Sequence, residues 1–191
     1  VSGVDEDAEI ARLAAEDAGL PEDPERTALA LARAKAGDVA AALAADDDAL
    51  VIGCDSVLWF GGEVLGKPRD AEDARARWRA MRGRSGVLVT GHAVVRPATG
   101  GIAAGQARTV VHFADPDDDE IAAYVATGEP LRVAGAFTLD GLGGPYVTGI
   151  EGDPANVVGL SLPLLRRLVG DLGVRWPELW QRRPPDHGPT P

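Results

Sequence analysis

The sequence predicts an α/β protein in which a mixed, elongated sheet is flanked by helices. Stretches with helical spacing alternate with β-rich stretches along the 191 residues. Short glycine-containing turns join several of the β-rich stretches, which indicates hairpins and a sheet that is not purely parallel. Apolar residues make up 45% of the chain, enough for a sizeable core. We expect one domain over residues 1–174 and a flexible Pro-rich tail over residues 175–191.

Two helices are predicted in the N-terminal quarter. The stretch "VDEDAEIARLAAEDAGLP" has acidic residues at its start, apolar side chains at helical spacing, and a stop at Gly19. The next stretch, "PERTALALARAKAGDVAAALA", has apolar residues three and four positions apart, namely Leu29, Ala32, Ala36, Val39 and Leu43. Lys35 lies at the margin of this apolar face, where its stem can pack while its ammonium projects beyond.

The stretch "VIGCDSVLWFGGEVLGKP" predicts a short buried strand followed by a hairpin that turns at Gly61 and Gly62. Asp55 follows the strand directly, and ligand sites of α/β sheets gather at the carboxyl ends of strands. We expect the hairpin to return Lys67 towards Asp55. Plainer interpretations are a turn aspartate that caps local N–H groups and solvated lysines at positions 35 and 67.

The rest of the chain alternates helices and strands. "RDAEDARARWRAMRG" predicts a helix capped by Asp70, with Ala74, Trp78 and Met81 buried and an end at Gly83. "GVLVTGHAVV" and "ARTVVHF" predict an antiparallel pair. The final predicted elements are a helix in "DPDDDEIAAYVATGEP", a strand in "PYVTGI" and a helix in "LPLLRRLVGDLG".

Charge and cysteine content limit the function. The net charge is −11, and the pI near 4.7 argues against a nucleic-acid partner or an anionic membrane surface. A small phosphate ligand stays compatible, because a few lysines and a cation can offset the global field. The single cysteine, Cys54, indicates a reducing compartment. Neither a membrane span nor a secretory leader is visible, so we expect a cytoplasmic protein.

The sequence does not meet the requirements of several simpler functional motifs. Gly61 to Lys67 nearly matches the phosphate-binding loop G-x-x-x-x-G-K, but Pro68 stands where a magnesium-binding Ser or Thr is required. The histidines at positions 92, 112 and 187 lack metal-ligand spacing. Cys54 lies in an apolar run and is better explained as a core residue than as a nucleophile.

Taken together, nine short segments in order resemble the Maf-like nucleotide pyrophosphatase family. They are "VDE" (4–6), "AKA" (34–36), "VIGCDSV" (51–57), "VLGKP" (64–68), "RGRSGVLVTG" (82–91), "TVVHF" (109–113), "EIAAYVATGEP" (120–130), "VAGAF" (133–137) and "IEGDPANVVGLSL" (150–162). The resemblance implies two lobes around a cleft. It also implies hydrolysis of a nucleoside triphosphate to the monophosphate and pyrophosphate, a house-cleaning reaction that uses Mg²⁺ or Mn²⁺. It suggests a homodimer.

The resemblance also implies roles for individual residues. Asp55 would be the catalytic base and a metal ligand, and Glu6 the second metal ligand. Lys35 and Lys67 would bind the substrate phosphates, and Ser56 retains the hydroxyl of the family's "D-T-V" pattern. That pattern, here "DSV", is more similar to the branch that acts on dTTP and UTP.

The sequence departs from the family pattern at several positions. Asp140 stands where the family often has Gln. An acid there would repel phosphate unless it binds metal or reads the base, so we treat Asp140 as a further binding candidate. Gly86 replaces a His and Ser161 replaces a Pro; we expect Ser161 to affect a helix cap only. The family's N-terminal strand and its "S-x-S-P-R-R" phosphate loop are not found in the sequence. This difference favours an alternative, a nucleotide-binding regulator of cell division or septum formation with weak or no hydrolysis. A third candidate is a phosphatase that releases orthophosphate.

Overall fold

A computed structural model describes residues 2–17, 19–44 and 48–181. The described helices begin and end close to the predicted positions, and each has a side-chain cap or a proline near its start. The α-helices are α1 (Glu6–Glu16), α2 (Pro24–Ala41), α3 (Ala71–Met81), α4 (Asp118–Ala126), α5 (Pro154–Val158) and α6 (Leu162–Asp171). The short α5 was not predicted. Ser161 caps α6 by accepting a hydrogen bond from the Leu164 N–H, so its expected capping role is confirmed.

Five strands form one sheet in the order β2-β1-β3-β4-β5. The strands are β1 (Val51–Phe60), β2 (Glu63–Leu65), β3 (Ser85–Arg96), β4 (Gly101–Phe113) and β5 (Val147–Glu151). The α/β class and the hairpin at Gly61 and Gly62 are confirmed, and both glycines have the positive φ that such a turn requires.

Every strand pairing in the described sheet is antiparallel, so the expectation of mixed strand directions is wrong for this part of the chain. The reason is the path between β2 and β3. These two strands run in the same direction and are joined through α3, but they pair with β1 from opposite sides. No parallel pair therefore forms between them.

Helix α2 packs directly on one face of the sheet because two strand positions lack side chains. A Cβ atom on Gly91 would lie 2.2 Å from the Ala28 carbonyl oxygen, and one on Gly53 would lie 2.4 Å from the Ala32 oxygen. The buried face of α2 consists of Thr27, Ala28, Leu31, Ala32 and Ala36, so Leu29 is less central than its spacing predicts. This close contact sets the height of Lys35 above the sheet.

The opposite face of the sheet is covered by α3, α4 and α6. Trp78 is the largest side chain of this core and makes edge-on ring contacts with Phe113, Tyr124 and Tyr146. Its indole N–H donates a hydrogen bond to the Ala136 carbonyl at 2.8 Å, which attaches the segment around Ala136 to the core. The predicted burial of Ala74, Trp78 and Met81 is therefore confirmed.

The predicted tail lies partly within the described chain. Trp176–Gln181 forms a 3₁₀ helix, and Trp176 and Leu179 pack against the apolar cluster around α6. Residues 182–191, including His187, lie outside the described residues. The boundary between residues 174 and 175 stays a prediction. In the described part of the chain, no helix has the length and apolar character needed to cross a bilayer.

Candidate active site

Four predicted residues reach one place from four separate segments. Glu6 is the first residue of α1, held there by its neighbour Asp5, whose side chain caps the helix. Lys35 projects from α2, Asp55 from β1 and Lys67 from the turn that follows β2. Glu6 and Lys35 are the two site residues on helices. Each presents its charge to the cavity because it lies on the side of its helix that borders the cavity.

The four charged groups form a continuous ion-pair chain, which we call the charged row. The Lys35 ammonium donates to Glu6 Oε1 at 2.8 Å and also to Asp55 Oδ1. The Lys67 ammonium donates to both Glu6 oxygens at 3.0 Å. Lys67 thus pairs with Glu6 and not directly with Asp55. Lys67 and Asp55 line the same cavity, which agrees with the expectation that the hairpin returns Lys67 towards Asp55.

The pKa values of the two carboxyl groups, Asp55 and Glu6, shift in opposite directions. Burial raises the pKa of Asp55 above its ordinary value, and the Lys35 ammonium opposes that rise without cancelling it. Burial also acts to raise the pKa of Glu6, but the hydrogen bonds from Lys35 and Lys67 outweigh it and lower that pKa. Lys35 is half-buried, which acts to lower its pKa, yet its bonds to Asp55 and Glu6 raise it overall. Asp55 is therefore a stronger base than an ordinary aspartate, and Glu6 is a weaker base than an ordinary glutamate.

The charged row lines an open cavity of about 960 Å³. The strand β1 has β2 as a partner only at residues 58–60, so in the described sheet residues 51–57 pair on one side only, with β3. The cavity lies at this free edge. Side chains alternate along a strand, so Asp55 faces α2 while Ser56 faces the other side of the sheet. The second wall comes from Phe137, Thr138, Val157 and Val158.

The remaining predicted residues line the same cavity with less definite contacts. The Ser56 hydroxyl shares a 2.8 Å hydrogen bond with the Thr90 hydroxyl, so part of its capacity serves the sheet. Asp140 is exposed at the cavity. Asp55 lies in the middle of the ten-residue β1, not at its carboxyl end. The prediction of its position within the strand is therefore wrong.

Sequence reasoning missed two groups that shape the cavity. Arg77 donates to the Gly66 carbonyl at 2.7 Å and to the Lys67 carbonyl at 3.5 Å, and pairs with Asp73 at 2.8 Å. It thereby fixes the turn that carries Lys67. Glu129 organises the loop that carries Asp140. An arginine four residues after an aspartate is typical of an exposed helix pair, so the sequence carried no distinguishing signal for Arg77.

Cys54 is only partly buried and lines the cavity, so the prediction that it is a core residue is wrong. Burial raises the pKa of the Cys54 thiol to about 11, so it is protonated and a poor nucleophile at neutral pH. His92 is fully buried, with Nδ1 against the Thr90 carbonyl and Nε2 accepting from the Ser161 N–H. Within the described ranges, no three His, Cys, Asp or Glu side chains are grouped so that they could hold a metal ion.

The site thus consists of two carboxylates and two ammonium groups that line a cavity at the free edge of an α/β sheet. The chain belongs to the Maf-like family, whose model matches residues 2–172 under the description "Maf-like protein".

Curated relatives agree with the family match. A nucleoside triphosphate pyrophosphatase of Streptomyces coelicolor is 59% identical over 180 residues, covering 94% of this chain and 82% of the relative. The protein of the same name from Rhodococcus jostii is 56% identical, with 94% and 84% covered. That from Salinispora tropica is 56% identical and covers 100% of this chain and 80% of its own length. The predicted family resemblance is confirmed.

Proposed function

We propose that this chain hydrolyses nucleoside triphosphates to the monophosphate and pyrophosphate, with the charged row as the phosphate site. The observation that carries the proposal is the convergence of Glu6, Lys35, Asp55 and Lys67 on one cavity wall. The relatives described above, which are named nucleoside triphosphate pyrophosphatases, support the same activity. The "DSV" segment supports the finer proposal that dTTP, UTP or modified pyrimidine nucleotides are preferred.

The two carboxylates fit a divalent cation that arrives with the nucleotide. Oxygens of Glu6 and Asp55 already converge on one cation, the Lys35 ammonium. Mg²⁺ is commonly held by one or two carboxylates, with substrate phosphates and water completing its shell. The two protein ligands present are therefore sufficient. When bound, Mg²⁺ or Mn²⁺ would neutralise phosphate charge and lower the pKa of a water molecule at the site.

The protein groups would then divide the work of hydrolysis. Asp55 accepts a proton from the attacking water, and its raised pKa makes it a better base than an exposed carboxylate. The water oxygen bonds to the α-phosphorus while the bond to the α–β bridging oxygen breaks. Pyrophosphate leaves with the electron pair of that bond. Lys35 and Lys67 offset the charge of the triphosphate and of the departing pyrophosphate.

A second candidate function is nucleotide binding without turnover, as in a regulator of cell division or septum formation. One observation favours it: the Lys35 ammonium engages both carboxylates, so the base is occupied until the lysine turns towards a ligand. Each of the three ammonium protons can donate, so a phosphate oxygen can recruit one without breaking both ion pairs.

A product assay distinguishes the candidates. The purified chain is incubated with Mg²⁺ and nucleoside triphosphates that differ in base and sugar, and pyrophosphate and orthophosphate are quantified separately. The proposal expects pyrophosphate and monophosphate in equal amounts, with the pyrimidine nucleotides turned over fastest. Nucleotide binding without product would favour the regulator. Orthophosphate as the first product would favour a phosphatase. The homodimer, the cytoplasmic location and the house-cleaning role stay predictions.

A further inference from the structure

The loop of residues 138–143, which we call the 138–143 loop, borders the cavity away from the charged row. Thr138 and Asp140 line the cavity next to Phe137. The side chains of the charged row reach the cavity from the α2 face, whereas Phe137 packs in the core on the opposite face. For a nucleotide with its phosphates on the charged row, this loop is a polar wall of the cavity on the opposite side, available to the sugar and base.

The hydrogen bonds of the 138–143 loop meet at the carboxylate of Glu129, which precedes the loop in the chain. Its Oε1 atom accepts hydrogen bonds from the Thr138 hydroxyl at 2.5 Å, the Tyr124 hydroxyl at 3.0 Å and the Gly143 N–H at 3.1 Å. Its Oε2 atom accepts from the Leu142 N–H at 3.1 Å. Four donors from three parts of the loop and from α4 thus converge on one carboxylate.

The loop backbone approaches Glu129 and its partner Tyr124 so closely that a Cβ atom at either of two glycine positions would push a neighbouring side chain aside. A Cβ atom on Gly141 would lie 2.7 Å from Glu129 Oε2, and one on Gly143 would lie 2.4 Å from the Tyr124 hydroxyl. Real Cβ atoms do not approach neighbours this closely. Gly141, Gly143 and Glu129 therefore pack as one structural unit. The conformation of the loop depends on the Glu129 carboxylate that it surrounds.

A charged acceptor is required here because every partner is a donor. The hydrogen bond from Thr138 and those from the loop lower the pKa of Glu129, so the group is ionised at neutral pH. A glutamine at this position would turn an NH₂ group towards at least one of these donors. At least one hydrogen bond would then be lost and one polar group left without a partner.

We propose that Glu129 is a positioning residue that holds the 138–143 loop in the shape that selects the nucleobase. This inference rests on the proposed function. Glu129 itself lies behind the loop and does not line the cavity. It acts through Thr138 and Asp140, which do. Its loss should therefore change discrimination between bases and leave the binding of phosphate groups intact.

The test compares Glu129→Gln with wild type and with Glu72→Gln, a matched change at an exposed glutamate in the first turn of α3. For each protein, kcat and KM are measured with nucleoside triphosphates that differ only in base, and inhibition by pyrophosphate reports on the phosphate site. Hydrogen exchange of residues 138–143 is measured without ligand and with the preferred nucleotide.

The expected result for Glu129→Gln is a rise in KM for the preferred nucleotide of up to about ten- to hundredfold. The upper limit is reached if the whole cost of losing a hydrogen bond to a charged group lowers the population of the competent loop conformation. The spread of kcat/KM across bases should shrink, inhibition by pyrophosphate should change by less than about twofold, and exchange of the loop amides should speed up. Glu72→Gln should match wild type in all readouts.

Two outcomes would overturn the inference alone: a Glu129→Gln protein with the wild-type spread of kcat/KM across bases, or one whose nucleotide and pyrophosphate affinities fall by the same factor. The second would show a general loss of structure. A wild-type protein that neither binds nor hydrolyses any nucleotide would instead overturn the proposed function. In that case, hydrogen exchange of residues 138–143, compared between wild type and Glu129→Gln without ligand, still decides whether Glu129 organises the loop.

Discussion

Replacing Asp55 by asparagine separates the chemistry of the site from the packing of the sheet. The two side chains have nearly the same shape, and an asparagine oxygen can still accept the hydrogen bond from Lys35. Lys35 also keeps its 2.8 Å contact with Glu6, so its ammonium is not left without a partner. The change removes one negative charge from a side chain that is only 9% exposed.

The magnitudes predict a large kinetic effect and a small effect on stability. Replacing the Lys35–Asp55 ion pair by a hydrogen bond to a neutral oxygen costs at most about 1.5–3 kcal/mol, but an ionised carboxylate no longer needs to be desolvated. These terms oppose each other, so we expect the free energy of unfolding to change by about 1 kcal/mol, or about 2–4 °C in Tm. Loss of a general base lowers kcat by about 10²–10⁴-fold.

The assay measures pyrophosphate release with UTP and dTTP at saturating Mg²⁺, together with thermal unfolding of the same preparation. Asp118→Asn is the matched control, because Asp118 pairs with Arg79 and Arg82 on the surface and does not line the cavity. A cooperatively folded Asp55→Asn protein whose kcat stays within about tenfold of wild type would refute Asp55 as the base.

Three further predictions concern stability. Lys35→Met leaves Asp55 without its cation, so the free energy of unfolding should fall by about 1–3 kcal/mol near neutral pH; this deficit should shrink in acid, as the Asp55 carboxyl, whose pKa burial already raises, takes up a proton. Burial lowers the pKa of His92, so the folded protein should lose stability as the pH falls below about 6.5, by up to about 1.4 kcal/mol per pH unit, and His92→Gln should remove this dependence. Gly91→Ala places a Cβ atom 2.2 Å from the Ala28 oxygen and should cost about 3 kcal/mol, with loss of activity as α2 is displaced.

Denaturant unfolding at several pH values tests all three predictions. Gly37→Ala is the control for Gly91→Ala, because a Cβ atom at position 37 meets nothing within 4 Å and the helix should gain about 0.5–1 kcal/mol. A Lys35→Met deficit that is equal at neutral and acid pH would contradict the ion-pair account. For His92, the contradictory result is the same pH dependence in wild type and variant.

The sequence predicted those elements whose causes are local. Helix α3 is the clearest case: Asp70 accepts from the N–H groups of Glu72 and Asp73, and the apolar residues recur at helical spacing. The hairpin at Gly61 and Gly62 was equally predictable, because its turn requires residues that tolerate positive φ.

The extent of β1 depends on distant pairing, which local patterns do not contain. Its residues 51–59 pair with β3, and this ladder carries the strand through the polar pair Asp55 and Ser56, where the sequence indicated an end. The same limit applies to Gly91. Its need for glycine comes from α2, which precedes it by about sixty positions and touches it only in the folded protein.

The candidate site was found through a set of motifs, and no single spacing would have revealed it. Glu6 and Lys67 lie 61 positions apart in the chain. Each is an ordinary surface charge when considered alone. The groups that position the site were harder to find, because Glu129 follows a helix end, where a glutamate has no distinctive pattern. Only the converging donors around its carboxylate show its role.

The most direct test of the charged row as a hydrolytic phosphate site is to follow the oxygen of the attacking water. Wild type and Asp55→Asn are incubated with the preferred triphosphate and Mg²⁺ in oxygen-18 water, and the products are examined by phosphorus NMR and mass spectrometry. We expect the label in the monophosphate alone, with unlabelled pyrophosphate beside it, and product formation by the variant slower by at least about a hundredfold. Label in orthophosphate or pyrophosphate, or equal turnover by the two proteins, would contradict attack at the α-phosphorus assisted by Asp55.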